Sequence, residues 1–209
     1  PPLRIGTRAS KLARVQAQKL EQALRTAHPN LTIETVAMTT AGDRELNKTI
    51  SDWGYKGLFT KELEDALLDH RIDIAVHSMK DMPSILPDGL ILAGMLERAD
   101  VRDAWISARH DSLSLLPNGA VIGTSSARRA AQLLHHRPDV SIVPLRGNVE
   151  TRLRKIEEGV AEATFLAVAG LERLNLHAAI RDVIEVDVML PAVAQGAIGM
   201  ECRVEDESA

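Results

Sequence analysis

Short runs of β-forming residues alternate with stretches of helical period along nearly the whole chain, and that alternation leaves few folds open. Leu3-Arg4-Ile5-Gly6-Thr7 reads as a strand. Ser10 has the chemistry of a helix N-cap, because its hydroxyl can accept from an orphan helix N–H. Leu12, Val15, Leu20 and Leu24 then recur on one helical face until His28-Pro29-Asn30 breaks the pattern. Further strands are predicted over residues 31–38, 72–77, 90–95, 120–124, 141–145, 164–168 and 197–202. Helices are predicted over residues 60–69, over 127–136 behind Ser126, over 149–158 behind Asn148, and from about residue 171. Two turns, Leu86-Pro87-Asp88-Gly89 and Leu116-Pro117-Asn118-Gly119, precede strands; Pro presets φ and Gly tolerates a positive one. The fold class is therefore α/β, with mixed, mainly parallel sheets flanked by helices. With 209 residues and an Arg/Asp-rich stretch at 97–103, two lobes joined by a hinge are expected. Lobe 1 takes residues 1–96 and 197–209, and lobe 2 takes 97–196, with Leu190-Pro191-Ala192-Val193-Ala194-Gln195-Gly196 as a crossover.

Composition removes several function classes. Lys plus Arg is 25 and Asp plus Glu is 29, so the formal charge of −4 argues against a wholesale basic nucleic-acid binder. Two Trp, one Tyr and two Phe are too few for a base-stacking platform. No apolar run approaches the roughly 18 residues that a membrane span needs. A single cysteine cannot form an internal disulfide, which fits a reducing, cytoplasmic location. The opening Pro1-Pro2-Leu3-Arg4 carries neither an initiator Met nor a signal-peptide apolar core, as expected of a trimmed end.

Basic and hydroxyl residues gather where predicted strands hand over to helices: Thr7-Arg8-Ala9-Ser10, Thr124-Ser125-Ser126-Ala127-Arg128-Arg129, and Leu145-Arg146-Gly147-Asn148 with Arg152 one turn on. Ligands of open α/β sheets bind beyond the carboxyl ends of the strands, and helix N-termini there favour anions. Arg adds a planar fork matching a carboxylate or phosphate. Any one of these arginines alone is more often a solvated surface pair; three equivalent junctions point instead to an anion pocket. In His77-Ser78-Met79-Lys80-Asp81-Met82-Pro83, Lys80 offers an anion contact and Asp81 a carboxylate able to steady a cation or move protons. Taken alone, that segment is better explained by a turn capped by Asp81 with Lys80 reaching solvent. His77 is expected to be a satisfied semi-buried side chain and Cys202, within Gly199-Met200-Glu201-Cys202, a buried structural thiol. His135-His136-Arg137 suits a helix C-terminus. No H-E-x-x-H, C-x-x-C, Walker A or G-x-G-x-x-G occurs, so no metal site is expected.

Six ordered segments together carry a family resemblance: Gly6-Thr7-Arg8-Ala9-Ser10, Lys56-Gly57-Leu58-Phe59-Thr60-Lys61-Glu62-Leu63, the His77–Pro83 segment, Gly123-Thr124-Ser125-Ser126-Ala127-Arg128-Arg129, Leu145-Arg146-Gly147-Asn148-Val149 and Leu190–Gly196. From Leu3 to Cys202 the chain resembles the porphobilinogen deaminases, or hydroxymethylbilane synthases. The resemblance implies a cytoplasmic, monomeric transferase of heme biosynthesis that joins four porphobilinogen molecules and releases ammonia at each addition. It also implies two domains like those of type II periplasmic binding proteins, with the active-site cleft between them. Asp81 would then be the catalytic carboxylate. Arg8, Lys80, Arg128, Arg129, Arg146 and Arg152 would hold acetate and propionate groups of cofactor and substrate, with Arg173 a further candidate. Ser10, Ser78, Thr124 and Ser126 would add hydroxyl contacts. Lys56 and Phe59 would belong to a lid, and Gln195 and Gly196 to the second hinge crossing.

Two departures accompany the resemblance. The family tethers its dipyrromethane cofactor through a thioether to a cysteine of a third domain, whereas this chain stops at Ala209 and Cys202 does not match that motif. A fragment inactive by itself is expected, with the attachment cysteine beyond residue 209. Asp52 also stands where some members carry a lysine. The alternative is a non-catalytic two-lobed module for a small anion, separable by weighing the complete protein for covalently held pyrroles. Neither hypothesis involves a nucleic acid or a membrane.

Overall fold

The computed structural model describes residues 1–44 and 59–206. Regular structure begins with β1 (Leu3–Arg8), α1 (Lys11–Ala27), β2 (Ile33–Met38), α2 (Ala41–Arg44), α3 (Lys61–Leu68), β3 (Ile74–Ser78), a 3₁₀ turn at Met79–Asp81 and β4 (Leu90–Met95). It continues with β5 (Asp103–Ser107), β6 (Val121–Gly123), α4 (Ala127–His136), β7 (Ser141–Val143) and α5 (Val149–Glu157). Next come β8 (Ala163–Ala167), α6 (Val168–Arg173), β9 (Asp182–Ile184) and β10 (Ile198–Arg203). The chain divides into two compact units, Pro1–Arg98 with Ala197–Ala209, and Ala99–Gly196.

The first unit is a five-stranded sheet in the order β2-β1-β3-β10-β4. β1 runs parallel to β2 and β3, while β10 runs antiparallel to β3 and β4. Its two faces are covered by different helices. Ser10 accepts from the Ala13 N–H and starts α1, whose Ala17 and Leu20 pack on Ile5, Ile74, Val76 and Ile198. On the other face Leu63, Ala66 and Leu67 of α3 close over Ile72, Ala75 and Leu90. A fully buried leucine of this kind contributes about 1.5–3 kcal/mol, and strands covered on both faces lose the in–out alternation of a half-exposed sheet.

The second unit repeats the plan in the order β7-β6-β8-β5-β9, with β6 parallel to β7 and β8 and β5 antiparallel to β8 and β9. Trp105 and Phe165 meet edge to face at 5.2 Å inside a core completed by Ile122, Leu133 of α4 and Met189. In each unit the antiparallel strand, β10 or β5, is the first strand after the chain crosses into that unit.

Several expectations require correction. Among the described residues four of the eight strand pairings are parallel and four antiparallel, so the sheets are mixed in equal measure. Residue 103, read as the end of a hinge stretch, begins the buried strand β5, because its charge is neutralised from within. β8 ends at Ala167 and α6 starts at Val168, about three residues earlier than periodicity suggested. The two Pro-Asx-Gly turns do carry their glycines at positive φ, 88° for Gly89 and 75° for Gly119. Lys56, and the loop from residue 45 to 57, lie outside the described residues.

Candidate functional site

In the first unit, functional side chains stand at the carboxyl ends of the parallel strands β1 and β3. Thr7 Oγ1 donates to the Ala13 carbonyl at 3.0 Å, which ties the end of β1 to the first turn of α1. The next residue, Arg8, lays its guanidinium over the Phe59 ring, 4.2 Å from the centroid, a cation–π geometry. At the end of β3, Gln16 Nε2 donates to Ser78 Oγ at 2.8 Å. The chain then turns so that the Met79 N–H donates to the Ala197 carbonyl at 3.1 Å and the Met82 N–H donates back to Met79 at 3.2 Å. Asp81 closes this turn and is exposed, as is Lys80. Arg8, Gln16, Phe59, His77, Ser78 and Asp81 line one recess with a cavity volume of about 20 Å³. A guanidinium that can hold an anion and a carboxylate that can steady a cation thus share one mouth.

The second unit places its residues at equivalent strand ends. The Thr124 N–H donates to Val143 O at 2.9 Å, and Thr124 Oγ1 accepts from the Ser126 N–H at 3.1 Å. Ser126 Oγ in turn accepts from the Arg129 N–H at 3.4 Å and starts α4. Asn148 Oδ1 does the same for α5, accepting from Thr151 N–H at 2.8 Å. Arg152 Nε donates to the Gly147 carbonyl at 2.7 Å, and Lys155 Nζ to the Arg146 carbonyl at 3.1 Å, so the loop before α5 is held by the helix it precedes. Arg146 and Arg152 are half-buried.

Arg129 departs from the expected role. It is 6% exposed, its Nη2 donates to Asp103 Oδ1 at 2.7 Å, and its Nη1 donates to the Phe165 carbonyl at 2.8 Å. A guanidinium committed in this way braces the core and is not available to take a ligand carboxylate. Arg128 shares the same acid, donating to Asp103 Oδ2 at 2.7 Å and also to the Leu190 carbonyl, but keeps its side chain 23% exposed. Gln195 is buried and donates to Asp103 Oδ1 at 3.0 Å and to Val101 O at 2.7 Å. Gly196 has φ 92°, and a Cβ there would stand 2.6 Å from the Ala99 carbonyl oxygen. Gln195 and Gly196 therefore secure the crossing itself, and Arg173 Nη2 donates to the Gly196 carbonyl at 2.5 Å, with burial drawing that guanidinium below its usual range. Ser10 and Ser126 serve as helix caps.

Sequence reasoning missed Asp103, the hub of this network. Burial alone would raise its carboxyl, but the charge and hydrogen bonds of Arg129, then of Arg128, outweigh that and hold it below the ordinary carboxylate range. The signal was an aspartate opening the apolar run Ala104-Trp105-Ile106. Also missed was the partner of His77, whose Nε2 lies 2.9 Å from Glu201 Oε2, both side chains buried. Cys202 is buried, as expected, and burial pushes its thiol up, away from nucleophilic character. Among the described residues no group of three or more His, Cys, Asp or Glu is placed to hold a metal, and no helix is long and apolar enough to cross a membrane.

Two mixed sheets of this strand order, with polar residues at the ends of their parallel strands, define the class of type II periplasmic-binding-protein folds. Lipoprotein Tp32 from Treponema pallidum is similar at a TM-score of 0.60 and 14% identity, covering 99% of this chain and 85% of its own. A periplasmic substrate-binding protein of an ABC transporter from Coxiella burnetii is similar at 0.59 and 13% identity, covering 99% and 86%. At such identities the likeness shows the fold alone. The sequence is more specific: residues 3–209 match the family model described as porphobilinogen deaminase, dipyromethane cofactor binding domain. The porphobilinogen deaminase of Paracoccus denitrificans is 55% identical over 207 residues, covering 98% of this chain and 66% of that protein. That of Syntrophotalea carbinolica is 56% identical, covering 98% and 65%, and the chloroplastic enzyme of rice is 53% identical, covering 99% and 59%. The chain belongs to the porphobilinogen deaminase family and spans a little under two thirds of the length of these curated relatives.

Proposed function

We propose that this chain is the part of a hydroxymethylbilane synthase that binds substrate and carries its catalytic acid. The complete protein joins four porphobilinogen molecules head to tail and releases ammonia at each addition, one step of tetrapyrrole biosynthesis. The observation that carries this reading is the recess of the first unit, where Arg8 and Asp81 stand together in a chain of this family.

Each pyrrole bears an acetate and a propionate, so the cargo is a poly-anion whose reacting end becomes a cation. Asp81 accepts from pyrrole N–H groups and assists protonation of the aminomethyl nitrogen. The C–N bond then breaks, ammonia leaves, and the cationic azafulvene left behind is steadied by the Asp81 carboxylate. The α-carbon of the growing chain attacks that cation and finally loses its proton. Arg8 and Lys80 on the first unit, and Arg128, Arg146 and Arg152 on the second, hold side-chain carboxylates, with Ser78 and Thr124 adding hydroxyl contacts. Arg129, Arg173, Gln195 and Gly196 hold the scaffold that presents them.

The same cations suit a dipyrromethane, itself a carboxylate-bearing pyrrole pair, which supplies the primer to which substrate is added. Its thioether does not fit the buried Cys202. We assign the attachment to the part of the relatives' length that this chain does not span, consistent with partial coverage. The complete protein is then a cytoplasmic monomer acting on a small molecule, and this portion is inactive by itself.

The test is Asp81→Asn in the complete protein, following ammonia and hydroxymethylbilane release. Turnover is expected to fall on the order of 100-fold or more, with the unfolding midpoint unchanged because Asp81 is exposed. Near-normal ammonia release by that variant would overturn the assignment.

A further inference from the structure

Asp81 is exposed, so its place in the recess is inherited from the short turn Met79–Asp81 that continues β3. That turn is held from three directions. Along the sheet, the Met79 N–H donates to the carbonyl of Ala197, the residue before β10. On the face that α1 covers, Gln16 is 3% exposed and its Nε2 donates to Ser78 Oγ at 2.8 Å. The third hold is on the opposite face, where the register sets Gly199 of β10 against His77. Met79 comes two residues after His77 and falls on the same face, as the diagonal neighbour of Gly199. Its thioether lies across the space that a side chain at position 199 would need. A Cβ there would overlap the Met79 sulfur, and would stand 3.1 Å from Met79 Cγ and 3.0 Å from Leu92 Cδ1 of β4. Gly199 is not among the glycines at positive φ, so its backbone would accept alanine. What excludes a side chain is the close approach of Met79. An unbranched thioether suits such an irregular gap.

Given the transferase function proposed above, we propose that Gly199 is a positioning residue: the gap it leaves in β10 seats Met79, and the seated side chain fixes the turn that presents Asp81. Loss of ammonia builds positive charge on one carbon, and a carboxylate steadies that charge only from the right distance. A misplacement of about 1 Å can cost on the order of 100-fold in rate. Arg8 is carried by β1 and packs on Phe59, apart from this turn. A disturbed seat is therefore felt in the chemical step more than in the hold on substrate carboxylates.

The experiment uses the complete protein with its own cofactor. It compares the parent with Gly199→Ala, Met79→Ala and the double variant, reading kcat and KM for porphobilinogen per folded molecule. Gly199→Ala should lower kcat by about tenfold or more while KM stays within about threefold. Met79→Ala should lower kcat several-fold. Both substitutions abolish the same seat, so the double variant should stay within about threefold of Gly199→Ala and not show the product of the two losses. A Gly199→Ala kcat within about twofold of the parent overturns the proposal, whatever the thermal midpoint does. A loss carried by KM, or losses that multiply in the double variant, overturn it equally. If Gly199→Ala does not fold, Met79→Ala and the double variant decide: both should lose kcat alike, and a kcat near the parent's in either one overturns the seat. Should the complete parent consume no porphobilinogen, the function above fails. Crystal structures of parent and Gly199→Ala then test the seat, a displaced Met79–Asp81 turn supporting it and an unmoved one overturning it.

Discussion

Asp103→Asn keeps the shape of a fully buried side chain and removes the charge that two guanidinium groups and Gln195 converge upon. Asparagine can still accept one or two of those hydrogen bonds, but Arg129, itself 6% exposed, is left as a buried cation without a counter-charge. Removing one partner of a buried pair costs about 3–5 kcal/mol. For a chain of this size each kcal/mol moves the thermal midpoint by about 2–4 °C, so the fall should be roughly 6–20 °C. The loss must also depend on pH. The Asp103 carboxyl is held below its unfolded value, so its contribution is complete above about pH 4 and is lost as pH falls through the lower folded value. Urea unfolding of parent and variant at pH 7 and near pH 3 measures both: a wide gap at neutrality should narrow in acid. A neutral-pH loss under about 1 kcal/mol, or a gap that ignores pH, would refute the account of Asp103 as a hub.

Two further outcomes follow from backbone geometry. Gly196→Ala should destabilise by about 1–3 kcal/mol from the left-handed backbone alone, and by more because the added methyl meets the Ala99 carbonyl at 2.6 Å; an unchanged denaturant midpoint would contradict this. Asn148→Ala should cost about 1 kcal/mol as the Thr151 N–H loses its cap, whereas Asn148→Gly should cost only a few tenths, a difference readable in urea titrations.

Much of this architecture was legible because local chemistry and tertiary structure agree. Ser10, Ser126 and Asn148 each cap the helix that their position announced, and α4 spans the residues its periodicity marked. What escaped notice were charges used internally. Asp103 and Glu201 sit in strands whose central residues are mostly apolar, and pattern reading assigns a charged residue to the surface when its neutralising partners lie far along the chain. Arg129 misled in the reverse direction: an arginine in the first turn of a helix has the same local context whether it faces a ligand or a buried aspartate 26 residues away. Only contacts made after folding separate those cases. Arg8 and Asp81 were recognisable as chemistry-bearing, but that they share a recess depends on β1 and β3 being adjacent strands, which no local pattern reveals.

The place of β10 governs how the molecule can be made. It lies between β3 and β4, yet Ile198 follows its register partner Ser78 by 120 residues, with all of the second unit between. At translation speeds of about 5–20 residues per second, β3 waits roughly 6–24 s for its neighbour. The second unit therefore has every strand it needs before the first does. A nascent chain halted ahead of residue 198 would offer the unpaired edges of β3 and β4 to chaperones, or to another chain in the same unfinished state.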